Sequence, residues 1–190
     1  MSLSARFAFA LLALLLVTSA AAFAGSDVSV APFKSIQLRG GGHVVFQHGA
    51  TQRVTLVKGS TEFTKFEIVD GNTLRIDACN SNCPQHYDLE IDIVSPAIEG
   101  VAIKGGGHIE SKGDFPKQDS IGAAVQGGGN IDIRSMSVDN VAAAVNGGGE
   151  IMTTPGRTLR AAVNGGGSIF YSGNPMVTSA INGGGSVTQK

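Results

Sequence analysis

The most reactive side chains of this 190-residue chain are two cysteines and four histidines. Cys79 and Cys83 stand close together in "ACNSNCPQH". Outside the cytoplasm such a pair forms a local disulfide, which is the expectation here. With His86 and Asp77 or Asp88 the same stretch offers transition-metal ligands, although a second ligand pair at zinc-site spacing is missing. His43 and His108 each follow a glycine triplet directly. If those triplets stack, the two imidazoles become neighbours that could hold a metal; otherwise they are exposed turn histidines. No cofactor is expected. Polysaccharide-cleaving enzymes need clustered carboxylates on one face. Asp132 and Glu150 lie three and one residues past their triplets, so they hold inequivalent positions and read as surface charge. Neither a Gly-x-Ser-x-Gly elbow nor the Lys-Ser/Thr of a phosphate-binding loop is present, so no catalytic residue is assigned.

Those side chains must be positioned by the chain beyond residue 24. Residues 1–24 read as a secretory signal peptide: Arg6 supplies the positive start, residues 7–17 are apolar, and "AFA" is a small-x-small cleavage site. Cleavage is expected after Ala24, with no cysteine there to carry a lipid, and the chain is placed in the periplasm or outside the cell. Arg6 is the only charge in that segment. The remaining 166 residues therefore keep 13 of the 14 Lys and Arg against 15 Asp and Glu, a net of −2. That balance argues against nucleic acid and anionic membrane surfaces, which select basic patches. Nothing after residue 24 is apolar for long enough to span a bilayer.

Short alternating runs broken by Gly, Pro, Asn and Asp mark the rest as all-β. "FEIVDGNTLRID" reads as a hairpin, because Asp70, Gly71 and Asn72 tolerate the backbone of a tight turn. Triglycine occurs six times, and the last five triplets begin at residues 105, 127, 147, 165 and 183. Each sits in one frame: small or apolar, Ala, Val or Ile, polar, Gly-Gly-Gly, polar, Ile or Val. Self-similarity at about 20 residues is the mark of a solenoid. The frame predicts a right-handed parallel β-helix over residues 101–190, preceded by an antiparallel β section over residues 25–100, in one continuous domain. Val125, Val145, Val163 and Ile181 would line its interior, with Ala123, Ala143, Ala161 and Ser179 on the same face. Glycine would be required at the stacked corners, Gly166 included.

Before the triplets stand Gln126, Asn146, Asn164 and Asn182, and after them Asn130, Glu150, Ser168 and Ser186. Stacked coils would turn the first set into an amide ladder bonded along the axis. Together the two sets border a strip nearly free of bulky side chains, suited to an extended glycan or a protein edge. The alternative is a ladder that only satisfies itself. The last coil, ending in "GGGSVTQK", would offer an uncovered edge for self-association or another partner.

The text "FKSIQLRGGGHVVFQHG", then "IDIVSPAIEGVAIKGGGHIES", then repeated Gly-rich coils, resembles the GIN-type auto-transporter adhesin head domain, a bacterial family of unknown function. The likeness spans roughly residues 30–190. It implies an extracytoplasmic all-β domain with β-helical coils, and it carries over no catalytic or binding residue. The function read from the sequence is a non-enzymatic structural or binding module at the cell envelope, adhesin-like. A carbohydrate-active enzyme on the same scaffold is the alternative.

Overall fold

The computed structural model describes residues 25–80 and 82–190; the signal-peptide reading of residues 1–24 lies outside the described residues. Among the described residues the structure is strand and turn throughout, as the alternating pattern requires. The strands are β1 (Ser26–Asp27), β2 (Ser35–Gly40), β3 (His43–His48), β4 (Arg53–Lys58), β5 (Lys65–Val69), β6 (Thr73–Asp77), β7 (Glu90–Ser95) and β8 (Gly100–Gly105). Then come β9 (His108–Lys112), β10 (Gln118–Gly127), β11 (Asn130–Asp132), β12 (Val138–Gly147), β13 (Glu150–Thr153), β14 (Pro155–Gly165), β15 (Ser168–Tyr171), β16 (Met176–Asn182) and β17 (Ser186–Gln189).

These strands form two mixed sheets. One runs β1-β4-β7-β3-β9-β11-β13-β15-β17 and the other β16-β14-β12-β10-β8-β2-β6-β5. From β8 onward the chain alternates between sheets, and each strand pairs in parallel with the one two places later. Equivalent letters of the repeating frame therefore fall into columns: Val125 opposite Val145, Val145 opposite Val163, and Val163 opposite Ile181. On the other sheet Ile109, Ile131, Ile151 and Ile169 form a second column, and all four are fully buried. Full burial of one such side chain is worth about 1.5–3 kcal/mol, so the columns are the main cohesive element of the stack. Ile181 departs from its column's pattern. It is 47% exposed, because no further coil covers β16.

The expected antiparallel section over residues 25–100 needs correction. Antiparallel pairing is confined to β1 with β4, β4 with β7, and β5 with β6. In contrast β2 pairs in parallel with β6 and β8, and β3 with β7 and β9. The reason is in the sequence: "IQLRGGGHVVF" carries the repeating frame, so Leu38 and Val44 align with Ile103 and Ile109. The hairpin reading holds. Phe66 faces Ile76 and Ile68 faces Leu74, with Asp70 at φ 52° and Gly71 at φ 77° in the turn. The cysteines are joined as a Cys79–Cys83 disulfide.

The glycine corners also differ from expectation in one respect. Gly165 holds φ +120°, and a Cβ there would lie 2.6 Å from the carbonyl oxygen of Gly147. At Gly167 a Cβ would lie 2.5 Å from both the Gly149 oxygen and Val145 Cγ1. Around Gly166 nothing approaches within 4 Å, and its φ is not in the left-handed region. So the outer two glycines are obligatory and the middle one is free. Successive corners are linked by backbone bonds, such as Gly166 N to Gly147 O and Ser168 N to Gly149 O, both 3.0 Å. Side chains on the outer two would break that close approach.

Candidate functional site

The residues before and after the triplets fall into register as the frame predicts. Gln126, Asn146, Asn164 and Asn182 form one column on the β16-to-β5 sheet. Asn130, Glu150, Ser168 and Ser186 form another on the opposite sheet, with the glycine corner between. The two columns behave differently. Ser186 donates to Ser168 at 3.1 Å, and all four residues of that column are half-buried. The amides of the first column are exposed, and none of the described hydrogen bonds joins one to another. That corrects the expected self-bonded ladder. Parallel pairing sets their Cα atoms about 4.8 Å apart, a spacing at which amide ladders can form, but here the side chains face solvent without bonding one another.

Sequence reasoning missed the floor beside them. In the frame "AAVN" the first Ala points inward and the second outward. Ala102, Ala124, Ala144, Ala162 and Ala180 therefore form an outward column on the same sheet, adjacent to the amides. Two shallow concavities cover this face, of about 660 Å³ over Ala102, Ala124, Ala144 and Ala162 and about 420 Å³ between the alanines and the amides. The repeated second Ala of each frame was the available signal. Following the amide column towards the N-terminal strands leads to Lys104 and then Arg39, the latter 3.4 Å from Asp77. The result is a smooth apolar floor flanked by a row of unpaired amides that ends in cations.

The acidic residues are arranged differently. Arg134 holds Asp132, with Nε 2.9 Å from Oδ1 and Nη2 2.6 Å from Oδ2. Burial alone would raise the Asp132 pKa, but the Arg134 bonds outweigh it and keep the carboxyl below its usual range. Burial acts in the same direction on Glu110 and is outweighed by Lys112 and the nearby histidines. Glu90 is lowered by its bond to Lys58, and Glu67 by Lys65 and Arg75. A general acid for glycoside cleavage needs the opposite shift.

His43 and His108 do become neighbours. They are directly opposed across the β3–β9 pair, with ring centroids 4.9 Å apart. Glu110 Oε1 lies 3.2 Å from His43 Nε2, and Glu110 Oε2 lies 3.9 Å from His108 Nε2. Desolvation lowers the His108 pKa, and the adjacent His43 adds to that shift.

Known proteins share this architecture. The profile of the family described as "Putative auto-transporter adhesin, head GIN domain" matches residues 32–121 and again 117–175. The chain belongs to that family. The two matches meet at β10, within the run of in-order repeats. Among solved structures, a putative adhesin from Bacteroides fragilis is 18% identical, with a TM-score of 0.55 over 87% of this chain and 96% of that one. A putative lipid binding protein from Parabacteroides distasonis is 16% identical, with a TM-score of 0.49 over 87% and 96%. A putative adhesin from Parabacteroides merdae is 13% identical, with a TM-score of 0.40 over 87% and 95%. The first of these supports the all-β fold. No curated protein matches the chain. Among the described residues, no helix is long and apolar enough to cross a membrane.

Proposed function

We propose that this GIN-family chain is a non-enzymatic, extracytoplasmic binding module, adhesin-like, whose two sheets are wound as a right-handed parallel β-helix in one domain over residues 25–190. Its ligand is an extended glycan of the cell envelope, lying along the alanine floor. The observation that carries this reading is the row Gln126, Asn146, Asn164 and Asn182, exposed and unbonded to one another beside an apolar face. A polysaccharide presents hydroxyls at intervals along one edge and C–H surface on its faces. The amides would bond the former and the alanines would pack the latter. Lys104, at the end of the row, favours polymers that carry carboxylate or phosphate.

A glycan-array screen that includes envelope polysaccharides tests this. Saturable binding is expected, weakened at least about fivefold in an Asn146→Ala/Asn164→Ala variant, since losing two hydrogen bonds costs roughly 1–3 kcal/mol. A blank array, or binding that ignores both substitutions, overturns the glycan reading. In that case the groove would suit a protein edge instead.

A further inference from the structure

We infer that His43, His108 and Glu110 form a binding site for a divalent transition-metal ion of the zinc class. Three observations converge on it. First, the parallel pairing of β3 with β9 sets the two histidines side by side, with Glu110 two residues after His108 on the same face. One ligand atom from each of the three lies within 4.8 Å of the others. Bonds of 2.0–2.2 Å in a tetrahedral shell put ligand atoms roughly 3.3–3.6 Å apart. Glu110 offers a different oxygen to each imidazole, Oε1 at 3.2 Å from His43 Nε2 and Oε2 at 3.9 Å from His108 Nε2, so its carboxylate stands near that spacing from both.

Second, His43 Nε2 is buried and has no hydrogen-bond partner. Glu110 Oε1 is close enough to bond it, but the contact lacks hydrogen-bond geometry. An unpaired buried ring nitrogen costs free energy, and a cation between it and the carboxylate removes that cost. Third, Asn130 is paired in register with His108; its Oδ1 is buried without a well-formed hydrogen bond, yet it stands close enough to act on the His108 ring. It is available to accept the imidazole N–H that remains when the other nitrogen of His108 binds metal. Such outer partners fix the ring of a ligating histidine.

Two imidazoles and one carboxylate suit zinc-class ions, and three protein ligands leave a fourth position for water. Lys112 now bonds Glu110 Oε1 at 2.8 Å and must swing away; its side chain is 58% exposed and free to do so. Glu90, beside His43, is engaged by Lys58 at 2.7 Å. The ion would tie β3 to β9, strands that lie far apart in the sequence but side by side in the sheet.

The test uses the protein without a polyhistidine tag, stripped with chelator and titrated with Co(II) and with Zn(II). One ion per chain is expected. Co(II) should give the visible absorption of a tetrahedral site, and the His43 and His108 NMR signals should shift while those of His48 and His86 stay in place. His108→Ala should weaken Zn(II) binding at least about tenfold, and the His43→Ala/His108→Ala variant should abolish it. Glu110→Gln, nearly isosteric, should also weaken binding while leaving the metal-free circular dichroism unchanged. This variant keeps the test valid if the double histidine variant misfolds. Absence of stoichiometric binding, unchanged binding in Glu110→Gln, or shifts confined to His48 and His86 would each overturn the site.

Discussion

The strands up to β7 and those from β8 onward share two sheets, yet they are organised by different means. From β8 to β17 the order in space is the order in sequence, and each coil takes its register from the one before. Up to β7 that order is broken: β2 and β3 lie between the later β6 and β7 on one side and β8 and β9 on the other. There the chain relies on particular side chains. Tyr87 Oη accepts from Ser60 N at 2.8 Å and donates to Ser60 O at 3.0 Å, holding a loop that the sheets alone do not fix. Gln52 accepts from Phe33 N at 3.0 Å and donates to Phe33 O at 2.8 Å and to Ser95 Oγ at 2.9 Å. Repetition can replace specific contacts only where every neighbour is a copy.

The largest test of this contrast lies in the repeats. Gly167→Ala should cost about 2–3 kcal/mol in urea unfolding, since its Cβ meets a carbonyl oxygen of the coil below. Gly166→Ala should stay within about 0.5 kcal/mol. Equal effects at the two positions would mean that the corner is not held by backbone approach.

In the N-terminal strands the matching test is the disulfide. Thiol titration of the denatured protein should find two thiols after reduction and none before. Replacing both cysteines with serine should cost at most about 2 kcal/mol, because the loop they close is short. A larger loss would show that the loop organises β6 and β7 beyond its own closure.

The smallest effect is expected where the two regions meet. The His108 pKa is lowered from 6.5 by desolvation and by His43, so the unfolded chain binds this proton more readily than the folded one. Its contribution is therefore fully present above pH 6.5 and is lost as pH falls towards the lowered value. In chelator, the fall in stability between pH 7 and 5 should be shallower in His108→Asn than in the parent. An unchanged slope would assign the acid sensitivity elsewhere.

Much of the repeat region was legible because its frame is its structure. The valine column, the stacking of coils and the corner positions all follow from aligning five similar lines of text. The alignment could not reveal which glycine of each triplet matters. That depends on the distance to the next coil's carbonyls, a property of the stack and not of any one line. The alanine floor was legible but missed: once Ala123 and Val125 are placed inward, Ala124 and its equivalents must face out. The placement of β2 and β3 was only half legible, as the stacking that would bring His43 beside His108. Their partners lie up to about 65 residues away in sequence, and only one copy of the frame marks them. The unbonded amides were misjudged because register brings side chains level without making them bond.

The empty surroundings of the middle glycine have an evolutionary consequence. Gly41, Gly106, Gly128, Gly148, Gly166 and Gly184 each have nothing within 4 Å of the position a Cβ would take. They recur strand by strand, at a pitch of about 4.8 Å. Substitutions along this row can accumulate without disturbing the winding. The lineage can therefore rewrite the chemistry of one edge one coil at a time, while selection for folding acts on the glycines either side.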